Sequence, residues 1–259
     1  MKNKRRYIKI IVVIVILSVI FLLTVGLNLI KKEQEIDLIV LDSNVIFKKQ
    51  NNKWYSIKKD SELKKYNWQF LYTFVDNEYL GKYYLYFDEE WYLFDKDKNA
   101  LNYNGSLIAF NDSKYKVINF NTSDIVDNTY LNKILTENNL DLNQELTNNY
   151  YISFDIDNDN KDEQLYVVSN RFPINNLNTS TYFSFVFLVD NGKIITIYED
   201  IEKTDDSYSG CKPYIKSILD INDDNKYEVI LNCAYYSTGE INSSMYEYKH
   251  NKYKLVVSS

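Results

Sequence analysis

The stretch FDIDNDNKDEQLYVV, Phe154 to Val168, begins with an aspartate at every second position and continues as an apolar run. A second stretch, LDINDDNKYEVILNC from Leu219 to Cys233, repeats this pattern with a constant offset of 65 residues. The matched positions are Asp155 with Asp220, Asp157 with Asn222, Asp159 with Asp224, Asn160 with Asn225, Lys161 with Lys226, and Glu163 with Glu228. The chain therefore contains a duplicated unit in which an acidic loop joins two apolar strands.

Each acidic loop is followed by a predicted hairpin, FSFVFLVDNGKIITIYE in the first unit and SSMYEYKHNKYKLVVS in the second. Four antiparallel strands in a repeat of about sixty residues are typical of a propeller blade. The sequence thus predicts two blade-like repeats over residues 150–259. Two blades cannot close a ring, so either the preceding hairpins supply degenerate blades or the fold is an open β assembly.

The loop spacing suits a hard cation that needs several oxygen ligands. Acidic or amide side chains at the first, third and fifth loop positions point inward together, the seventh position offers a carbonyl, and a carboxylate at the ninth completes the shell. The predicted calcium ligands are Asp155, Asp157, Asp159, the Lys161 carbonyl and Glu163 in the first loop, and Asp220, Asn222, Asp224, the Lys226 carbonyl and Glu228 in the second. Because Asn222 removes one ligand charge, we expect weaker Ca²⁺ binding in the second loop. The alternative is an ordinary solvated hairpin turn.

Over residues 150–259 the chain resembles the FG-GAP or VCBS-type repeats, the calcium-binding β-propeller blades also found in integrin alpha subunits. The family pattern is D-x-D/N-x-D-G-x-x-D-L. Asn160 and Asn225 stand where the family has Gly, and asparagine tolerates a positive φ better than most residues. The resemblance implies calcium-braced blades that present loops for binding outside the cell.

The segment 36–122 predicts a separate β-rich domain of hairpins. VIFKK pairs with KWYSI, GKYYLYF with WYLF, and SLIAF with YKVINF across the turn NDSK. Residues 123–149 predict a linking segment with one amphipathic helix from Asp124 to Glu137, in which Val126, Tyr130 and Ile134 recur at helical spacing. The predicted fold class is therefore mainly β, with antiparallel hairpins, four-stranded repeats and one helix between them.

The uncharged stretch from Ile10 to Ile30 is long enough to cross a bilayer once as a helix. Its leading flank, residues 1–9, carries Lys2, Lys4, Arg5, Arg6 and Lys9, which predicts a cytoplasmic tail and an exported remainder. A cleaved signal peptide, with Thr24 and Gly26 before the cut, is the alternative; both place the C-terminal part outside the cell. A net charge of −6 with scattered lysines argues against a nucleic-acid partner.

Cys211 and Cys233 flank the second acidic loop and come near one another if its two strands pair. An exported location favours a disulfide between them, and two buried free thiols are the alternative. Neither a CxxC motif nor a Cys/His set points to zinc.

The sequence contains 25 Tyr and 13 Phe, which act either as strand filler or as a surface for sugars or proteins. The main nucleophile and cofactor motifs are missing, and His250 is expected in a solvated turn. Acidic pairs at residues 88–90 and 205–206 could serve a glycan hydrolase, but we expect no enzyme. The favoured function is a single-pass surface module that binds a protein or glycan, and the alternative is an accessory subunit of an envelope complex.

Overall fold

The computed structural model describes residues 37–42, 45–141, 143, 145–171, 181–203 and 210–259. The prediction of a mainly β protein built from antiparallel sheets is confirmed, and one sheet curls into a half-barrel. Among the described residues, no helix has the length and apolar character needed to cross a membrane. The predicted span from Ile10 to Ile30 lies outside them.

The N-terminal hairpins form a single antiparallel sheet. Its strand order is β3-β2-β1-β7-β4-β5-β6. The bounds are β1 Asp37–Leu41, β2 Val45–Gln50, β3 Lys53–Ser56, β4 Phe70–Val75, β5 Glu78–Asp88, β6 Glu90–Phe94 and β7 Leu107–Phe110. The β2–β3 turn is made by Asn51 and Asn52, both at positive φ, as a tight hairpin requires. A helical turn α1, Asp60–Leu63, continues as a 3₁₀ turn, Lys64–Tyr66.

The two repeats form two further sheets of the same design. The first runs in the order β13-β12-β11-β10-β9 and the second in the order β17-β16-β15-β14-β8. The bounds are β8 Lys116–Val117, β9 Ser123–Asp124, β10 Asn148–Phe154, β11 Glu163–Ser169, β12 Tyr182–Asp190, β13 Lys193–Glu202, β14 Lys212–Asp220, β15 Glu228–Tyr235, β16 Glu240–Tyr248 and β17 Tyr253–Ser258. Each repeat is a four-stranded antiparallel meander with one two-residue strand added at the edge.

The three sheets stack through two apolar cores. The core between the repeat sheets contains Ile152, Leu165 and Val186 from the first and Ile218 and Val229 from the second. The opposite face of the second repeat packs on the N-terminal sheet, with Leu219, Ile230 and Met245 against Ile39 and Phe110. Because strand side chains alternate between faces, the consecutive residues Ile218 and Leu219 serve different cores.

The helix α2, Thr129–Glu137, covers the outer face of the first repeat sheet. Its buried side chains, Leu131, Ile134 and Leu135, pack against residues of β11 and β12. The helix begins five residues later than the predicted Asp124, since Ser123 and Asp124 pair with Tyr151 and Tyr150 as strand β9. Val126, expected on the apolar face, is 89% exposed.

The predicted hairpin of SLIAF with YKVINF is wrong. β7 lies in the N-terminal sheet, whereas β8 pairs with β14 in the second repeat, so the chain changes sheets between them. The residues Asp37–Ser259 form one compact unit. A buried lysine joins its parts: Lys216 of β14 donates to Ser106 Oγ at 2.6 Å and forms an ion pair with Asp42.

Candidate functional site

The first acidic loop, between β10 and β11, curls around the carboxylate of Asp155. Asp155 Oδ1 accepts the backbone N–H of Asp159 at 3.0 Å, and Oδ2 accepts that of Asn160 at 2.9 Å. Asp159 Oδ1 in turn accepts the N–H of Lys161 at 2.9 Å. Asn158 and Asn160 adopt positive φ, which lets the chain reverse within five residues.

This curl gathers three carboxylates into one cluster. One oxygen each from Asp155, Asp157 and Asp159 lies within 4.8 Å of the others. Asp157 Oδ1 is buried and has no hydrogen-bond partner among the described residues. Burial raises the pKa of Asp157, and the nearby charges of Asp159, Asp190 and Asp155 raise it further. A hard divalent cation bound between the three carboxylates would relieve this repulsion and would give the buried Asp157 Oδ1 a partner.

Glu163, the ninth residue of the loop, is buried but lies outside this cluster of three. Its Oε2 accepts the N–H of Ile156 at 2.8 Å, so it fixes the start of the loop. Burial raises the pKa of the Glu163 carboxyl. The exposed ammonium of Lys161 lies 3.2 Å from Asp159 Oδ2, at the rim of the cluster.

The second loop reproduces this backbone geometry. Asp220 accepts the N–H groups of Asp224 and Asn225 at 3.3 and 3.1 Å, and Asp224 accepts that of Lys226 at 2.9 Å. Glu228 Oε2 accepts the N–H of Ile221 at 3.0 Å, the counterpart of the Glu163 bond. The two copies of the sequence pattern thus form the same set of hydrogen bonds.

The second loop differs because a lysine from β8 enters it. Lys116 Nζ lies 3.1 Å from Asp223 Oδ1, 3.1 Å from Asn225 Oδ1 and 3.7 Å from the fully buried Asp220. The hydrogen bond to Asp223 raises the pKa of Lys116, which keeps it cationic. In the part of the chain that the structure describes, three acidic side chains this close together occur only in the first loop.

Asn222 and Glu228 complete the second loop. Asn222 Oδ1 accepts the N–H of Asp224 at 3.1 Å, and Asn222 Nδ2 lies 3.5 Å from Glu228 Oε1. Burial raises the pKa of Glu228 to about 8, and the neighbouring Asp224 and Asp220 add to the rise. Lys116 therefore offsets part of the negative charge of this loop.

A disulfide joins Cys211 and Cys233 around the second loop. Cys211 also connects the repeats: its N–H donates to Asp200 Oδ2 at 3.2 Å, and its carbonyl accepts the hydroxyl of Ser184 at 2.6 Å. Asp200 forms an ion pair with the buried Arg171 at 2.9 Å. The two hydrogen bonds of Cys211 thus join the start of the second repeat to β12 and β13, the last two strands of the first.

A second feature of functional interest is an aromatic face on β4, β5 and β6. Cross-strand pairing aligns Phe70, Tyr84 and Phe94 in one row and Tyr86 with Tyr92 in the next. Trp68 packs beside the second row, 5.1 Å from Tyr86. The largest exposed rings of this face, with their exposed fractions, are Trp68 51%, Phe70 44%, Tyr79 56%, Tyr84 36% and Tyr92 41%.

The aromatic face lies on the same side of the N-terminal sheet as the residues that pack against the second repeat. Tyr72 and Phe74 of β4 pack at the border of that core, and Phe74 stacks on Phe110 at 5.2 Å. Lys82 is the cation of this face, with Nζ 5.0 Å from the centre of the Tyr72 ring and 5.5 Å from that of Phe70. The opposite side of these strands is buried, as Leu71 of β4 and Leu85 of β5 show. The strands that carry the exposed rings are therefore packed on their other side.

The remaining acidic candidates are residues 88–90, at the turn between β5 and β6, and residues 205–206. Glu89 and Glu90 line a cavity of about 280 Å³ with Trp91 and Ser259. Asp205 and Asp206 lie outside the described residues. His250 is exposed, at positive φ in the turn between β16 and β17.

No family model, curated protein or solved structure matches the chain. The two features are therefore interpreted from their own geometry. The resemblance of the acidic loops to FG-GAP or VCBS repeats stays a prediction.

Proposed function

We propose that the protein is a membrane-anchored extracellular binding module with FG-GAP-like blades. In this proposal the first acidic loop holds Ca²⁺ and braces the blades. The aromatic face of β4–β6 binds a protein or a glycan.

Calcium at the first loop is supported by the cluster of Asp155, Asp157 and Asp159. Oxygen ligands in a flexible loop are what Ca²⁺ prefers, whereas Mg²⁺ tends to keep its waters. Extracellular modules bind calcium with dissociation constants of about 10⁻⁴ to 10⁻³ M, an affinity suited to calcium outside cells. At the second loop, calcium would have to displace Lys116.

Binding is supported above all by the exposure of five large rings on one sheet. Contiguous apolar patches are uncommon on monomeric proteins and mark interaction sites. Trp and Tyr are enriched at such sites because their rings offer a large contact area with few rotatable bonds. A group of exposed rings on one side of a sheet suits either the apolar face of a sugar or a complementary protein surface.

The extracellular location is supported by the apolar stretch from Ile10 to Ile30 and by the Cys211–Cys233 disulfide. Disulfides persist in oxidising compartments and are rare in the cytosol. Both features are consistent with a domain that works outside the cell.

The test is capture of glycans and surface proteins by the full-length chain in micelles of octaethylene glycol dodecyl ether, which carries no sugar. The double variant Tyr84→Ala/Tyr92→Ala should lose binding at least about tenfold, the size expected for aromatic anchors. Tyr55→Ala, an exposed tyrosine of β3, is the matched control. Binding unchanged in the double variant would refute the aromatic face. Capture of one membrane partner, equal in calcium and chelator, would indicate the accessory-subunit alternative.

A further inference from the structure

A second cavity lies beside α2, on the outer face of the first repeat sheet. Its volume is about 190 Å³. Its lining includes Asp124, Asp127, Tyr130, Tyr151, Gln164 and Tyr166. It is separate in its lining residues from the acidic loops and from the aromatic face, so the inference below is independent of the proposed function.

Three tyrosine rings form the walls of this cavity. Tyr151 and Tyr166 are cross-strand partners on β10 and β11, stacked with centres 5.6 Å apart and planes at 28°. Tyr130 comes from α2 and meets Tyr166 at 6.3 Å and 59°. Tyr166 is stacked between Tyr151 and Phe187, its partners on the two neighbouring strands, so the ring faces left for a ligand are those of Tyr151 and Tyr130. These two rings are inclined to Tyr166 by 28° and 59°, so their faces point in different directions.

Two further contacts hold the central ring, that of Tyr166, in place. Tyr166 stacks on Phe187 of β12 at 4.9 Å with planes 3° apart. Its hydroxyl donates to Gln164 Oε1 at 2.7 Å. A rigid wall loses little freedom when a ligand binds, which favours affinity.

The charge of the lining is negative only. Asp124 and Asp127 are exposed at the rim, and no lining residue, all of them described, is cationic. Asp127 Oδ1 accepts the N–H and the hydroxyl of Thr129, at 2.9 and 2.6 Å, which fixes the carboxylate at the start of α2. Burial raises the pKa of Tyr166, and the charge of Asp127, which lines the same cavity, raises it further.

We propose that this cavity binds a small organic cation of the alkylammonium class. Aromatic faces attract cations electrostatically, and ammonium groups with methyl substituents fill cages of this kind because they are weakly hydrated. The two rim carboxylates add Coulomb attraction and disfavour anions. A neutral sugar would gain no Coulomb attraction from the two charges.

The test is saturation-transfer NMR on the full-length chain in micelles of octaethylene glycol dodecyl ether, a detergent without ammonium groups. The probes are choline, tetramethylammonium and 3,3-dimethylbutan-1-ol, the uncharged carbon isostere of choline. Choline should bind at least roughly tenfold more tightly than the isostere, the size expected of cation–π contacts at a desolvated site. Equal binding of the two, or no transfer to either ammonium probe at millimolar concentration, would overturn the proposal.

Two variants locate the binding. Asp124→Asn/Asp127→Asn keeps the shape of both side chains and should weaken choline binding about fivefold without affecting the isostere. Tyr151→Leu keeps an apolar side chain on β10 and should weaken choline binding about tenfold. Asp97→Asn, an exposed aspartate of the turn after β6, is the control and should bind as the parent does. Parent-like choline affinity in both cavity variants would assign the signal elsewhere and overturn the site.

Discussion

Replacing Asp157 by Asn should stabilise the protein in chelator, and calcium should cancel most or all of that advantage over the parent. Without a cation, Asp157 is held within 4.8 Å of two other carboxylates, and its buried Oδ1 lacks a partner in the described structure. At that distance one like-charge pair costs about 0.9 kcal/mol in water and about 3.5 kcal/mol at an effective dielectric constant of 20. Because the loop is half-exposed, the lower value applies to each of the two pairs.

In chelator, Asp157→Asn should therefore raise the free energy of unfolding by about 1–2 kcal/mol. For a unit of this size, that corresponds to a melting temperature about 2–8 °C higher. In calcium the parent should gain about 1.4–2.7 kcal/mol when the ion is at about 10–100 times its dissociation constant. The variant loses a charged ligand, so most of this gain should vanish.

The assay is thermal unfolding in chelator, in CaCl₂ and in MgCl₂, each salt at about 10 mM, which is about 10–100 times a dissociation constant of 10⁻³ to 10⁻⁴ M. Asp162→Asn, an exposed aspartate of the same loop outside the cluster, removes the same charge and is the matched control. It should leave the calcium response intact. A parent protein with no calcium response, or an Asp157→Asn shift of the same sign and size in every buffer, would refute the reasoning.

Three further perturbations address the rest of the molecule. Lys116→Met should raise the calcium stoichiometry from one to two ions per chain in titration calorimetry, because it frees the second loop of its ammonium; Lys114→Met is the control, and a stoichiometry that stays at one would contradict the role of Lys116. Cys211→Ser/Cys233→Ser should lower the free energy of unfolding by about 3 kcal/mol in urea denaturation, as expected for a closed loop of about twenty residues; an unchanged midpoint would show that the bridge does not constrain the unfolded chain. Lys216→Met should cost about 2 kcal/mol, since Asp42 loses its ammonium partner, and Asp42→Asn should recover part of that loss; additive losses in the double variant would argue against the pairing.

The local structure of the acidic loops could be predicted because it depends on neighbouring residues. The constant offset of the two copies predicted two loops of one design, and their hydrogen bonds agree. Positive φ at Asn160 and Asn225 followed from their place in the pattern. The calcium at these loops stays a prediction.

The long-range contacts could not be predicted from the same signals. Lys116 reaches the second loop through a strand of only two residues, too short to give a periodic pattern. The insertion of β7 between β1 and β4 likewise depends on which apolar faces meet, whereas the local pattern of SLIAF and YKVINF favoured a hairpin. For the same reason, the helical spacing at Asp124 did not predict strand β9, which forms by pairing with β10.

The segment Lys116–Asp124 has a consequence for self-association. Its strand β8 pairs with β14 at the edge of the second repeat sheet, and its strand β9 pairs with β10 at the edge of the first. Unpaired edge strands can pair with strands of other molecules, which promotes edge-to-edge aggregation. One run of nine residues thus covers part of two sheet edges, at residues 219–220 and 150–151, and proteolytic nicking within it would uncover both together.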